Sequence, residues 1–466
     1  MDRVLRGSFL RTHNRPPDLQ TNTIKASFTR ESLTGAAFFF FVLASWYVLR
    51  PVRNEIAVEN SADLPSIMAI GALVMLLVNP VYSWLASRAN LGRLLLFCYC
   101  FFLSNLGCFV ALWGTMGPEG EIWLGRVFLI WCNVYSFFVA SIFWVVIINI
   151  FRGVESRVSY GVIMAGGSLG ALVGSELSKR VSASYSSQGI AIFVLITIVL
   201  LSVALLIGLL LISGSGRDRS GNRNNVGGTG FDAFKNALTD RQIRSIAIYV
   251  YLWTGLMTIH WMSAIGIIDG WSADSGERIR FFSAMEQAVT LLTLPTQLFL
   301  TAMVIGWLGI KRILVAYGVI FFLVFTLYAL FPTIGLVVVT TVFLRLFEYG
   351  INKPAREIVF SLLPRNDRYK SSVFIDTFVA RLGGFSGSGF LLAGKLFGIA
   401  QIHLPLAALP LTVLLWVFGL KISGATGRTP PPHVGEGKPS IRCDERFRVK
   451  ESPHVGWNRR ASRTFG

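Results

Sequence analysis

Apolar runs long enough to cross a lipid bilayer recur along this chain, and they decide the fold class before anything else is read. A helix needs roughly 20 apolar residues to span about 30 Å of hydrocarbon. Stretches of that kind lie at about 33–56, 65–86, 92–113, 122–151, 158–178, 189–212, 243–268, 281–305, 310–331, 333–361, 371–397 and 401–422. They are continuous and lack the alternation of a lipid-out, lumen-in strand, which excludes a β-barrel. With 53% hydrophobic and 15% charged residues over 466 positions, the chain holds more apolar side chains than one soluble core can hide. The expectation is an all-α polytopic membrane protein with twelve transmembrane helices.

The net charge of +18 would point a soluble chain toward nucleic acid. Its distribution says otherwise. Loops on one side, together with both tails, carry 31 Lys and Arg, whereas the opposite loops hold only Lys179, Arg180, Arg278 and Arg280. Those opposite loops are marked instead by Glu55, Glu59, Asp63, Glu119, Glu121, Asp269 and Asp274. By the positive-inside rule both termini are cytoplasmic, and no nucleic-acid partner is implied. The first 30 residues are polar, so no secretory signal precedes the first span; an organellar presequence is the alternative reading of Arg3 to Arg15. Cys98, Cys100, Cys108 and Cys132 lie in apolar stretches without metal-ligand or disulfide spacing.

Between Ser213 and Gly230 the apolar pattern gives way to Gly, Ser, Asn and Arg, a linker composition. The chain thus divides into a basic cytoplasmic tail (1–32), a six-helix half (33–212), a cytoplasmic linker (213–242), a second six-helix half (243–422) and a disordered basic tail (423–466) with Pro430, Pro431 and Pro432. The halves echo each other. Leu91, Gly92 and Arg93 after the second span correspond to Leu308, Gly309 and Lys311 after the eighth, and Gly166 and Gly167 to Gly383 and Gly384. Gly166, Gly170 and Gly174, like Gly383 and Gly387, recur at four-residue spacing and predict close helix packing. Repeated six-helix halves are characteristic of transporters.

Charges inside spans are costly and mark function. Arg126 and Lys395 lie near helix ends and are expected to snorkel. In the tenth span Arg345, Glu348, Asn352 and Arg356 are spaced i, i+3, i+7 and i+11, which puts them on one helix face. Pro354 denies an amide to the Gly350 carbonyl, freeing backbone for ligand or water beside Lys353, Arg356 and Glu357; Lys353 and Glu357 have the spacing of an i, i+4 ion pair. Arg50 and Arg53 share a face at the end of the first span, around Pro51. Glu286, Glu348, Asp376 and Arg381 are candidates for charge pairing, with Glu286 and Asp376 also able to carry a coupling proton. Basic side chains outnumber acidic ones across these sites, which favours an anion, and the arginine fork suits phosphate or carboxylate oxygens. His260, beside Trp261, is expected to pack rather than to bind. No P-loop, zinc motif or serine elbow is present, so no enzyme activity, cofactor or metal is expected.

The runs LRPVRNE, FWVVIINIFRGVESRVSYGVIMAGGSLGALVG and EYGINKPAREIVFSLLPRNDRYKSSVFIDTFVARLGGFSGS resemble the nucleotide (ATP/ADP) transporter family of plastids and intracellular bacteria, in particular its free-living bacterial relatives. The resemblance implies a major-facilitator-type fold, a bacterial inner-membrane location and exchange of nucleotides. The family's span-one motif Leu-Arg-Asp-x-Lys-Asp is matched by Leu49, Arg50, Pro51, Val52, Arg53 and Asn54, and its Pro-x-Lys-Glu motif by Pro354, Ala355, Arg356 and Glu357. Its acidic residue after span four is matched by Glu155, close to Asn149. Both lysines are arginine here and both span-one aspartates are replaced. The binding candidates are therefore Arg50, Arg53, Asn149, Glu155, Arg345, Asn352, Lys353, Arg356 and Glu357. The expected function is alternating-access transport of a small organic anion, with a proton-coupled carrier of another solute and a non-transport membrane scaffold as alternatives.

Overall fold

The computed structural model describes residues 29–88, 90–151, 156–184, 189–215, 240–361, 371–372, 374–399 and 403–426. Every regular element among them is helical: α1 (Arg30–Glu59), α2 (Leu64–Arg88), α3 (Leu91–Leu112), α4 (Pro118–Ile150), α5 (Ser156–Val181), α6 (Ala191–Gly214), α7 (Arg241–Asp269), α8 (Ser275–Pro295), α9 (Thr301–Leu330), α10 (Ile334–Phe347), α11 (Ala380–Leu396) and α12 (Leu409–Thr426). A π-helical turn at Glu348–Asn352 carries α10 on into Lys353–Ser361, and another at Ile375–Val379 leads into α11. These helices belong to one compact unit. Both tails and most of the linker lie outside the described residues.

Helices dominate because hydrocarbon offers no hydrogen bonds, so each spanning segment must pair its own amides and carbonyls. Polar residues mark where several begin: the side chains of Thr29, Asp240, Asp274 and Thr333 accept from first-turn amides. Large apolar side chains face outward, among them Trp307 at 79% exposure and Phe299 at 74%, as a lipid-facing surface requires and a water-facing one does not tolerate over so many positions. The protein is an integral, multi-pass membrane protein.

Nine helical stretches among the described residues are long and apolar enough to cross a membrane, against the twelve expected. The difference has local causes. Ser275–Leu330 forms one helical stretch, bent at Gly309, whose φ of 73° glycine adopts without a Cβ clash; the expected ninth span starts there. The side chains of α2 are described only as far as Pro80, and Leu64–Pro80 is apolar but shorter than a full span. The helix that runs through the Ile375–Val379 turn into α11 carries Asp376, Arg381 and Lys395.

Packing repeats between α1–α6 and α7–α12. α5 lies on α1 as α11 lies on α7, and α3 packs on α6 as α9 does on α12. The four-residue glycine series makes the first of these contacts possible. A Cβ on Gly166, Gly170 or Gly174 would meet the carbonyl oxygens of Ala36, Phe40 or Ala44, so backbone lies directly on backbone. Gly383 and Gly387 approach the Tyr251 and Gly255 carbonyls of α7 in the same way. The two sets of helices then meet through α5 against α8 and α2 against α11. Gly170→Val should force α1 and α5 apart, because the Phe40 backbone cannot yield as a flexible side chain would; overpacking of this kind costs about 1–3 kcal/mol or more. Loss of the monodisperse peak in fluorescence-detected size exclusion is the expected result, and a variant as well behaved as the parent would refute the close packing.

Candidate functional site

A cavity of about 600 Å³ lies between the two sets of helices, a size suited to a small metabolite. α1 contributes Arg53, α2 contributes Met68, Ala72 and Met75, and α4 contributes Asn133. From the other side come Trp253, Met257 and Trp261 of α7, Arg345, Glu348, Lys353 and Arg356 of the α10 rod, and Asp376, Arg381 and Ser388 around α11. Five cationic side chains thus line it against two carboxylates, an excess of three positive charges.

Arg53 reaches across to Asn133 (3.1 Å to Oδ1) and touches Asn54 Oδ1 at 3.3 Å. Its guanidinium lies 4.7 Å from the Trp261 ring of the opposite half. No carboxylate pairs with it among the described residues, and its buried Nε has no hydrogen-bond partner. Arg356 stacks over Trp253 at 4.6 Å, donates from Nη2 to Glu348 Oε1 at 3.1 Å and lies 3.9 Å from Asp376. Its Nε and Nη1 are buried without a hydrogen-bond partner. Arg381 rests against the Phe137 ring of α4 at 5.4 Å. Lys353 is exposed to the cavity.

Beside the cavity, Glu286 of α8 binds two arginines through one oxygen: Arg345 Nη1 at 2.7 Å and Arg50 Nε at 3.1 Å. Since Arg50 belongs to α1, this triad joins the two sets of helices. It also removes Arg50 from the lining, where the sequence placed it, because a carboxylate compensates the cost of burying its charge. Asn352 is likewise buried outside the lining. It donates to Glu348 Oε2 at 2.6 Å and accepts from the Tyr249 hydroxyl at 3.2 Å, so it holds a carboxylate in place.

Other expectations are corrected. Glu357 is exposed away from the cavity, and the structure has no ion pair between it and Lys353, because Lys353 turns toward the cavity. Asn149 sits in the last turn of α4, donating to the Val145 carbonyl at 2.8 Å, and does not line the cavity. Glu155 lies outside the described residues. The Gly350 carbonyl released by Pro354 is taken by the Thr301 hydroxyl and is not left for a ligand. Arg126 and Lys395 both reach to the turn after α1: Arg126 meets Asp63 at 2.7 Å, and Lys395 donates to the Ala62 carbonyl at 2.7 Å. His260 stacks on Tyr328 and contacts Thr341, as a packing residue would.

The end of the bundle holding the end of α1 is tied across the two sets. Arg278 of α8 forms a buried fork with Glu55 of α1, Nε at 3.0 and 2.8 Å from the two oxygens, and its Nη1 donates to the Ser272 carbonyl. Ser61 to Asp269 at 2.7 Å, Ser275 to Glu59 at 3.4 Å and Lys395 to Ala62 reinforce that end. Glu55 and Arg278, counted from the sequence as loop charges, are both buried here.

No protein-family model and no curated protein matches the chain. Solved structures match its fold. A point mutant of the nucleoside transporter NupG aligns with a TM-score of 0.63 at 14% identity, over 84% of this chain and 100% of that one. The POT family transporter PepTSo gives 0.62 at 14% identity over 86% and 99%, and the human organic anion transporter MFSD10 gives 0.54 at 12% over 87% and 100%. The arrangement is therefore the major-facilitator type, and at such identities the likeness speaks for fold alone.

Proposed function

We propose that this protein is a secondary transporter moving an organic anion by alternating access, with residues 33–212 and 243–422 as the two rocking halves. The observation that carries this reading is the cavity between them, whose lining holds five cationic side chains and two carboxylates. An excess of unpaired guanidinium in a low-dielectric wall attracts an anion and repels a cation. The arginine forks favour oxyanions, which makes a nucleotide or a related phosphorylated metabolite the leading substrate, exchanged in the manner of ATP against ADP. The similar fold of a nucleoside transporter and an organic anion transporter supports the transporter reading. Topology is assigned from the basic loops: both termini are cytoplasmic in a bacterial inner membrane, and the Glu55 end, tied across the two sets of helices, faces outward.

Proteoliposomes preloaded with unlabelled nucleotide should take up labelled ATP or ADP, and empty vesicles should not. Failure with every nucleotide and phosphorylated metabolite under any gradient would overturn the reading. A proton-coupled carrier on the same fold is the second reading, favoured by the buried Oε2 of Glu286, which has no partner. Uptake indifferent to a pH gradient counts against it.

A further inference from the structure

The proposed anion site contains aromatic residues, and the use made of them bears on what is recognised. Trp253 and Trp261 each have a guanidinium over the ring, Arg356 at 4.6 Å and Arg53 at 4.7 Å. Trp253 is further fixed by its indole N–H to the Tyr317 hydroxyl at 3.1 Å. A ring face covered by an arginine is not free to stack a planar ligand. With Arg356 and Arg53 each taking a face of a tryptophan, Tyr349 is the lining aromatic that carries no cation among the described residues.

The cationic groups differ in how much of their capacity is spent. Arg345 shares the single carboxylate of Glu286 with Arg50. Arg356, 5% exposed, keeps two N–H-bearing nitrogens without acceptors despite Glu348. Arg53 has only amide and thioether acceptors, and Arg381 has only the Phe137 ring, among the described residues. Arg53 stands in the first set of helices and Arg381 in the second, on one cavity. A ligand with negative charge at one end alone would satisfy one of them.

We infer that this cavity reads the charge of its ligand rather than its uncharged part. Arg53 and Arg381 are the two anchors, and the tryptophans hold arginines instead of stacking the ligand. The ligand class is a compact polyanion, a diphosphate or triphosphate group with or without an organic substituent. This rests on the proposed anion site and narrows it: Arg381 becomes a specificity-determining residue, and selectivity between bases is expected to be weak.

The test is thermal-shift titration of the purified full-length protein with inorganic phosphate, pyrophosphate, tripolyphosphate, adenosine, succinate and the four common nucleoside triphosphates. Apparent affinity should rise from phosphate through pyrophosphate to tripolyphosphate. The four nucleotides should lie within about threefold of one another, and adenosine should give no shift. Arg381→Gln should weaken tripolyphosphate about tenfold or more, and phosphate much less, with the ligand-free melting temperature kept. Arg381→Lys, which keeps the charge without the fork, should lose about threefold and serves if the glutamine variant does not fold. A shift with adenosine, a preference above tenfold for one base, or tripolyphosphate binding indifferent to Arg381 would overturn the inference. Succinate binding without any polyphosphate binding would overturn it while sparing the anion transporter. No shift with any anion would overturn both.

Discussion

Glu55→Ala is expected to open the end of the bundle that the structure holds shut. Glu55 is 0% exposed and Arg278 6%, and the carboxylate supplies most of what compensates the buried guanidinium. Without it Arg278 retains the Ser272 carbonyl and the Ser275 hydroxyl, both neutral. Removing one member of a buried pair costs about 3–5 kcal/mol. Because the pair joins α1 to α8, that cost falls on the conformation closed at this end, and the ratio of closed to open shifts by about two to three and a half powers of ten. The remaining ties, such as Ser61 to Asp269, keep the variant folded. A cysteine at Ala72, which lines the cavity, should then react faster with an impermeant maleimide applied from the Glu55 side. The double exchange Glu55→Arg with Arg278→Glu should restore slow labelling in part. Unchanged labelling in Glu55→Ala would show that the pair is not the closure.

That pair also shows where reading the sequence stops. Glu55 and Arg278 stand 223 positions apart, each beside loop-like polar residues, and served only as topology markers. Nothing local distinguishes a charge that meets a partner across the bundle from one that meets water. The stripe on α10, by contrast, was legible because helical spacing is local: Arg345, Glu348 and Arg356 all line the cavity. Even there the π-helical turn at Glu348–Asn352 inserts extra chain per turn. It rotates the next helical turn about the axis, so Asn352 points into the core and Lys353 into the cavity.

Which arginines are free and which are spent was likewise out of reach. Arg50 and Arg53 look alike in sequence, yet one shares Glu286 with Arg345 and the other has no carboxylate among the described residues. Trp253, Met257 and Trp261 stand at i, i+4 and i+8 on α7, a spacing that went unremarked because aromatic residues in an apolar span read as packing. Only the arginines lying on both tryptophans reveal their use. The glycine series shows the opposite case, a purely local pattern whose consequence, backbone against backbone, needs no distant partner to be anticipated.

Arg356→Ala should abolish binding and transport while leaving a folded, inserted protein. Arg356 stands at the meeting of Glu348, Asp376 and Trp253, with two buried nitrogens lacking acceptors that a ligand oxyanion would supply. Its removal leaves Glu348 with Asn352 as hydrogen-bond donor, which keeps that carboxylate from being stranded and limits the structural damage. Arg356→Lys retains the charge but not the planar fork, nor the stacking on Trp253. Charge-assisted hydrogen bonds are worth about 1.5–3 kcal/mol each, so losing one of a bidentate pair predicts roughly ten- to hundredfold weaker binding for the lysine variant. Alanine should fall below detection in the same proteoliposome assay, with an unchanged elution profile. An Arg356→Ala variant transporting at the parental rate would remove the anion site from this cavity, whatever the cavity then carries.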